Sequence, residues 1–272
     1  MMGGQMEKEE FPLTELPKEV FENILSFLPG KDLLLVCSRV NREWKTAIES
    51  QSLWHLKCQR LEILFADLLH NHDGPFDFKQ YYFKNPYTRN LLKNSKALEG
   101  VKYWSLTPLG DYYRNETMFI KEDQPHGSEP LHKFIGKDFG DIQNWVTSYI
   151  YSSREQMIDL IAEGCHSHIL DHVRPPIVIS EWYAARFDCG SEFDMEVKMF
   201  AENKEDLLDS HQFNCNLNAG RQWFQIRHVF NAYPPGVRYI HYRHAGKDRK
   251  FWAGHYGVKM ALPTVQFQMN NL

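Results

Sequence analysis

Apolar residues recur four apart twice near the start of the chain. Leu16, Val20, Ile24 and Leu28 form one series, widened by Phe21 and Leu25. Val36, Val40, Trp44 and Ile48 form another, with Arg39, Arg42, Glu43 and Lys45 between them. This spacing predicts short amphipathic helices whose apolar face is broader than one small neighbour can cover. Pro17 suits a first helical position, where its missing amide hydrogen has no partner to lose. Pro29-Gly30 ends the first helix, Asp32 can cap the second, and residues 52–58 read as a third. Surplus apolar surface on so small a module calls for a partner.

Further along, the period changes. Residues 193–199 and 265–269 alternate apolar and polar side chains strictly, as half-buried strands do. Residues 177–179, 223–230, 237–244 and 257–260 also read as strands, separated by turn clusters such as Asp-Cys-Gly, Asn-Ala-Gly and Pro-Pro-Gly. Residues 153–160 suit either a strand or a short helix. Short strands broken by turns predict an antiparallel β-sandwich. Between the two patterns, Leu61, Leu64, Phe65 and Leu68 suggest a helix, and Tyr81-Tyr82-Phe83 precedes a turn at Asn85-Pro86. That stretch carries too many large apolar groups for a flexible tether. The expected fold class is therefore α+β. Residues 1–11 are a disordered start, 12–58 a three-helix module, 59–95 a partly helical linker and 96–272 the sandwich.

Charge and cysteines narrow the function classes. The 272 residues include 31 basic and 35 acidic ones, a formal net charge of −4, and no Lys/Arg run. Nucleic-acid binding is not expected. The five cysteines are widely spaced and form no CxxC pair, which argues against zinc and against a disulfide framework, and fits reduced thiols in the cytosol or nucleus. The first ten residues are polar and no apolar run reaches a membrane span, so neither secretion nor membrane insertion is expected. Asn115-Glu116-Thr117 matches a glycosylation acceptor that would stay silent without export.

Catalytic signatures are missing. There is no phosphate-cradling glycine loop, no G-x-S-x-G elbow, no H-E-x-x-H and no dinucleotide fingerprint. His166, His168 and His172 have a spacing that could hold a metal, yet only Asp171 lies near them, and ordinary surface or core histidines are the better reading. Asp188, Glu192 and Glu196 could include a glycosidase pair, though the sequence fixes no separation between them. No cofactor, metal or enzymatic activity is expected.

The order of residues in the opening module is more specific than its periodicity. Leu16-Pro17, Asn23-Ile24-Leu25-Ser26-Phe27-Leu28-Pro29, Asp32-Leu33, Cys37, Val40, Trp44 and Leu53-Trp54 together resemble the F-box. The resemblance implies docking on a Skp-type adaptor and, through it, a cullin-RING ubiquitin ligase. It implies that Leu16, Pro17, Val20, Ile24, Leu25, Leu28 and Pro29 face the adaptor, with Trp44 and Trp54 internal. The later region resembles the F-box-associated (FBA) domain, through residues 232–240, 244–248 and 251–257 and through Glu181-Trp182-Tyr183, Arg186, Asp188 and Gly190. Within that family it is similar to the sugar-recognising F-box proteins, which bind the chitobiose core of high-mannose N-glycans on misfolded glycoproteins in ER-associated degradation.

In that subfamily a Tyr-Trp-Lys run, an Asp and a further aromatic form the sugar site. The resemblance places Phe251, Trp252 and Ala253 on the run, Asp188 on the acid and Tyr149 on the third position. An indole offers a flat apolar platform to the C–H face of a sugar ring, and a carboxylate accepts hydrogen bonds from its hydroxyls. Phe251 lacks the hydroxyl of Tyr, and Ala253 lacks the stem and charge of Lys, so weaker or altered binding is implied. The expected function is a non-catalytic substrate receptor for N-glycosylated clients, in the cytoplasm near the cytosolic face of the endoplasmic reticulum. Its rivals are an F-box receptor that binds a protein surface and a carbohydrate-active enzyme with a helical appendage.

Overall fold

The computed structural model describes residues 16–71, 76–106, 118–136 and 140–269; the predicted disordered start and the Asn115 acceptor lie outside them. The described residues form two compact units, one ending at Asn85 and the other beginning at Pro86.

The first unit is helical. Helices α1 (Lys18–Leu25), α2 (Gly30–Leu35), α3 (Arg42–Glu49) and α4 (Gln51–Arg60) are followed by the shorter α5 (Ala66–His70) and α6 (Phe78–Lys84). Pro17 stands one place before α1, and its carbonyl accepts the amides of Val20 and Phe21 at 3.0 Å. The helix stops at Leu25, earlier than Pro29 alone requires. Its trailing carbonyls at Ser26 and Leu28 are taken by the buried ammonium of Lys57, and burial lowers that amine from its ordinary pKa. Asp32 is not a cap; Pro29 holds that position and Asp32 lies in the first turn of α2. The second apolar series does not make one helix either. A 3-10 turn at Cys37–Arg39 interrupts it, and Asn41 starts α3 afresh by accepting the Trp44 amide at 2.9 Å. The core gathers Leu25, Leu33, Ile48, Leu53 and Trp54. The Trp54 indole donates to the Ile48 carbonyl at 2.7 Å and is flanked by Tyr82 and Phe83 of α6. Gly30 is needed beneath Tyr82, because a Cβ there would stand 2.5 Å from the ring.

Among the described residues, ten antiparallel strands in two sheets make the second unit a β-sandwich. One sheet runs in the order β1 (Ser105–Leu106), β4 (Ser152–Asp159), β9 (Tyr239–Asp248), β6 (Ser191–Phe200) and β7 (Leu207–Leu217). The other runs β2 (Phe119–Glu122), β3 (Asn144–Thr147), β10 (Lys259–Phe267), β5 (Ile177–Ala184) and β8 (Trp223–Phe230). Along β6 the residues alternate inward and outward without exception, as their pattern predicts. Residues 153–160, ambiguous by pattern, are strand. Residues 257–260 and 265–269, read as separate strands, are largely one: β10 bulges between Ala261 and Thr264, where Leu262 takes a φ of +52°. Asn90 closes that bulge, donating to the Pro263 carbonyl at 2.8 Å and accepting the Val265 amide at 3.0 Å.

Two polar networks are sealed within the sandwich. His244 Nδ1 lies 2.6 Å from Glu181 Oε1, and the Tyr242 hydroxyl donates to Glu181 Oε2 at 2.8 Å. Lys259 donates to both oxygens of Glu122, which also accepts from Asn144 at 2.8 Å. Each charge is partnered, as burial demands. No helix among the described residues is long and apolar enough to cross a membrane.

Candidate ligand loops and docking face

The end of the sandwich that carries the loops after β3, β5, β7 and β9 holds all five candidate sugar residues. Asp248, the last residue of β9, fixes the longest of these loops. Its Oδ1 accepts the amides of Lys250, Phe251 and Trp252, and its own amide donates to the Ser148 carbonyl at 2.9 Å. That anchoring turns Phe251 into the left-handed region, with φ +55°, and leaves the residue 74% exposed. Trp252 beside it is 39% exposed, and Ala253 is exposed as well. The loop returns through Gly257, where a Cβ would stand 2.2 Å from Thr147 Oγ1.

Tyr149, in the loop after β3, meets Phe251 edge to face with ring centroids 4.9 Å apart. The Trp252 ring meets Tyr256 at 5.6 Å and nearly at right angles, while the Lys250 ammonium stands 4.5 Å over its centroid. Asp188 reaches this group through an intermediary. Its Oδ1 accepts from Arg186 Nε at 2.7 Å, and the same guanidinium lies 4.7 Å over the Tyr256 ring. The loop that carries Asp188 is set by backbone contacts: the Phe187 amide donates to Gly127 at 2.9 Å and the Gly220 amide to Arg186 at 3.0 Å. Cys189, between Asp188 and Gly190, is fully buried, and that burial raises its thiol pKa, with the nearby Asp248 charge adding to the effect. It packs; it is not poised as a nucleophile.

Two further candidate groupings come apart. Glu192 and Glu196 project from β6 into ion pairs with Lys247 and Lys198, whereas Asp188 sits on the preceding loop with Arg186. His168 and His172 stack on each other at 4.3 Å, Asp171 is engaged by Arg238, and no three metal-ligating side chains converge among the described residues.

On the helical unit, Pro17, Val20, Ile24, Leu28 and Pro29 are exposed, and Leu16 is half-buried. Leu25 is a correction: it is 1% exposed and belongs to the core, because the α1 face that holds Phe21 turns it inward. Phe27, Leu35, Val36 and Val40, outside the face that the F-box resemblance implies, are exposed as well. Phe27 is 70% exposed with the Arg60 guanidinium 3.6 Å over its ring. The interrupted second series was the available signal, since a break at residues 37–39 frees Val36 and Val40. Trp54 is internal, and Trp44 is half-buried against Phe21 at 5.3 Å.

A family model described as F-box-like matches residues 13–60, and one described as F-box associated region matches residues 82–266. Human F-box only protein 44 is 32% identical over 91% of this chain and 93% of its own length. Human F-box only protein 6 is 33% identical over 91% of this chain and 81% of its own. Bovine F-box only protein 2 is 31% identical over 95% and 85% respectively.

Proposed function

The chain belongs to the F-box proteins that carry an F-box-associated region, and on that footing we propose that it is the substrate-recognition subunit of a Skp–cullin–F-box ubiquitin ligase that binds N-glycans. The exposed apolar row of Val20, Ile24, Phe27 and Leu28 supplies a docking face for a Skp-type adaptor. At the loop end, the ring of a core sugar lies against Trp252, with Tyr149 and Phe251 beside it. The Asp188 oxygen not engaged by Arg186 accepts from sugar hydroxyls or an acetamide N–H. The chain makes no bond itself. It raises the local concentration of client lysines beside a ubiquitin-loaded enzyme elsewhere in the assembly. High-mannose glycoproteins in ER-associated degradation are the client class, which places the receptor in the cytoplasm.

The single observation that carries this reading is the half-exposed Trp252, joined through Tyr256 and Arg186 to Asp188. Retention of the full chain on a ribonuclease-B-type high-mannose column tests it. Retention is expected for the native chain and lost in Trp252→Ala; equal retention of the variant removes this site.

A second reading, a protein client gripped by the same loops, is favoured by Ala253, which offers a sugar neither charge nor hydrogen bond. Normal adaptor binding with no hit on a glycan array would establish it.

A further inference from the structure

Six side chains run in continuous contact across the loop end. The Arg221 guanidinium lies 4.8 Å from the Phe187 ring centroid, and Arg186 lies 5.4 Å from the same centroid. Arg186 also covers Tyr256 at 4.7 Å, Tyr256 meets Trp252, and Lys250 covers Trp252 at 4.5 Å. The members come from three loops, those after β5, β7 and β9. Arg249 ties the same loops together: its amide donates to the Gly190 carbonyl at 2.9 Å and its guanidinium to the Leu217 carbonyl at 3.5 Å.

The charge of this surface opposes that of the molecule. Four cations, Arg186, Arg221, Arg249 and Lys250, stand on loops of a chain whose formal net charge is −4. The three loops carry one carboxylate of their own, Asp188, which is held by Arg186, and Asp248 at the end of β9 is 2% exposed and turned onto backbone amides. Glu129, which also feels Arg221, is paired with Lys133. An aromatic face orients a cation without neutralising it; Arg186 gives its Nε–H to Asp188, and its remaining in-plane donors, with those of Arg221, are left to meet an anion. Phe187, at 45% exposure, adds a second apolar platform, joined to Trp252 through Arg186 and Tyr256. Lys250 already covers one face of the indole, and a ligand bearing negative charge gains by meeting that ammonium.

We infer that this loop end selects an acidic saccharide, whose carboxylate, phosphate or sulfate ester is met by Arg186, Arg221 and Lys250 while a ring face rests on Trp252 or Phe187. The inference rests on the reading of these loops as a glycan site and names the class of glycan. An acidic peptide would find the same cations but would leave both aromatic platforms without a pyranose face to cover.

Binding of the full chain to four probes tests it: a neutral high-mannose glycopeptide, the same glycan with a phosphate monoester on a terminal mannose, a sialylated complex glycopeptide, and an unglycosylated hexa-aspartate peptide. At low salt at least one acidic glycopeptide is expected to bind about tenfold more tightly than the neutral one. Which of the two does so tells an ester from a carboxylate. That advantage collapses between about 0.05 and 0.5 M salt. It also shrinks in Arg221→Gln and in Lys250→Gln, and Arg221→Lys restores most of it. Equal, salt-independent binding of the neutral and acidic glycopeptides overturns the inference and leaves the glycan reading standing. Peptide binding as tight as that of the acidic glycans overturns the saccharide assignment. Failure of all three glycopeptides overturns both.

Discussion

The imidazole of His211 lies flat against that of His228, with ring centroids 3.7 Å apart and planes within 5°, although the two residues stand on edge strands of different sheets. Burial holds both rings below the usual histidine pKa; the charge of His228 adds to this for His211, and Asp209 partly offsets it for His228. His211 Nε2 is enclosed with no hydrogen-bond partner among the described residues, so a proton there has nothing to donate to. With folded pKa values depressed, the stacked pair favours folding above the unfolded value of about 6.5 and loses that contribution as pH falls toward the folded values. The urea midpoint of the native chain is expected to drop between about pH 7 and 5. In His211→Phe the drop is shallower. An equally steep fall in that variant removes this stack as the acid-sensitive element.

Neighbouring residues on α1 separate docking from folding. Ile24 is exposed and Leu25 is sealed in the core. Ile24→Asp is expected to weaken adaptor pull-down at least about tenfold, with helical stability changed by no more than about 0.5 kcal/mol. Leu25→Ala instead opens a cavity and costs about 2–5 kcal/mol. Circular dichroism melting alongside the pull-down distinguishes the two. Full adaptor binding by Ile24→Asp shows that the docking face lies elsewhere.

How much of this was legible in the sequence depends on whether a local pattern decided the outcome. β6 was legible because one sheet face is buried and the other is not, so period two survives. β3 was missed: its four residues are all buried, and a run without alternation carries no strand signature. β10 split in two because Leu262-Pro263 places a turn-like pair inside a strand, and only Asn90, far away in sequence, shows that the bulge is closed. The second apolar series failed for a related reason: Asn41 restarts the helix within a periodicity that looks continuous. Tyr149, Asp188 and Trp252 came from a resemblance, and no spacing brings them together. Arg186 and Tyr256 lie in the motifs that carry the resemblance, but nothing there joins them to each other or to Arg221 and Lys250, since those contacts exist only once three loops have folded onto one another.

Gly257 tests the base of the ligand loop. Its Cβ would meet Thr147 Oγ1 at 2.2 Å and the Thr147 carbonyl oxygen at 2.7 Å, and the backbone cannot retreat, because the Gly257 amide donates to that same carbonyl at 3.0 Å. Gly257→Ala is expected to destabilise the sandwich by about 1–3 kcal/mol, the usual cost of forcing volume into a packed site. Thermal unfolding checks this. An unchanged midpoint shows that Thr147 moves aside freely.

Asp248 separates the holding of the loop from the binding surface it presents. Its carboxylate contacts no ligand in the arrangement proposed above; it gathers the amides of residues 250–252 and so determines where Phe251 and Trp252 stand. Asp248→Ala leaves three amides in search of acceptors, at a cost of about 1–3 kcal/mol if they stay buried. Solvent can instead satisfy them if the loop opens, so most of the loss is expected in ligand affinity, about tenfold, with little change in the melting midpoint. Asp248→Asn keeps one carbonyl acceptor and is expected to fall between native and Ala. The contrast with Trp252→Ala is informative: that substitution removes the platform, yet amide exchange at residues 250–252 stays slow, whereas Asp248→Ala speeds it. Slow exchange in Asp248→Ala, with affinity intact, shows that the loop holds its shape without the carboxylate.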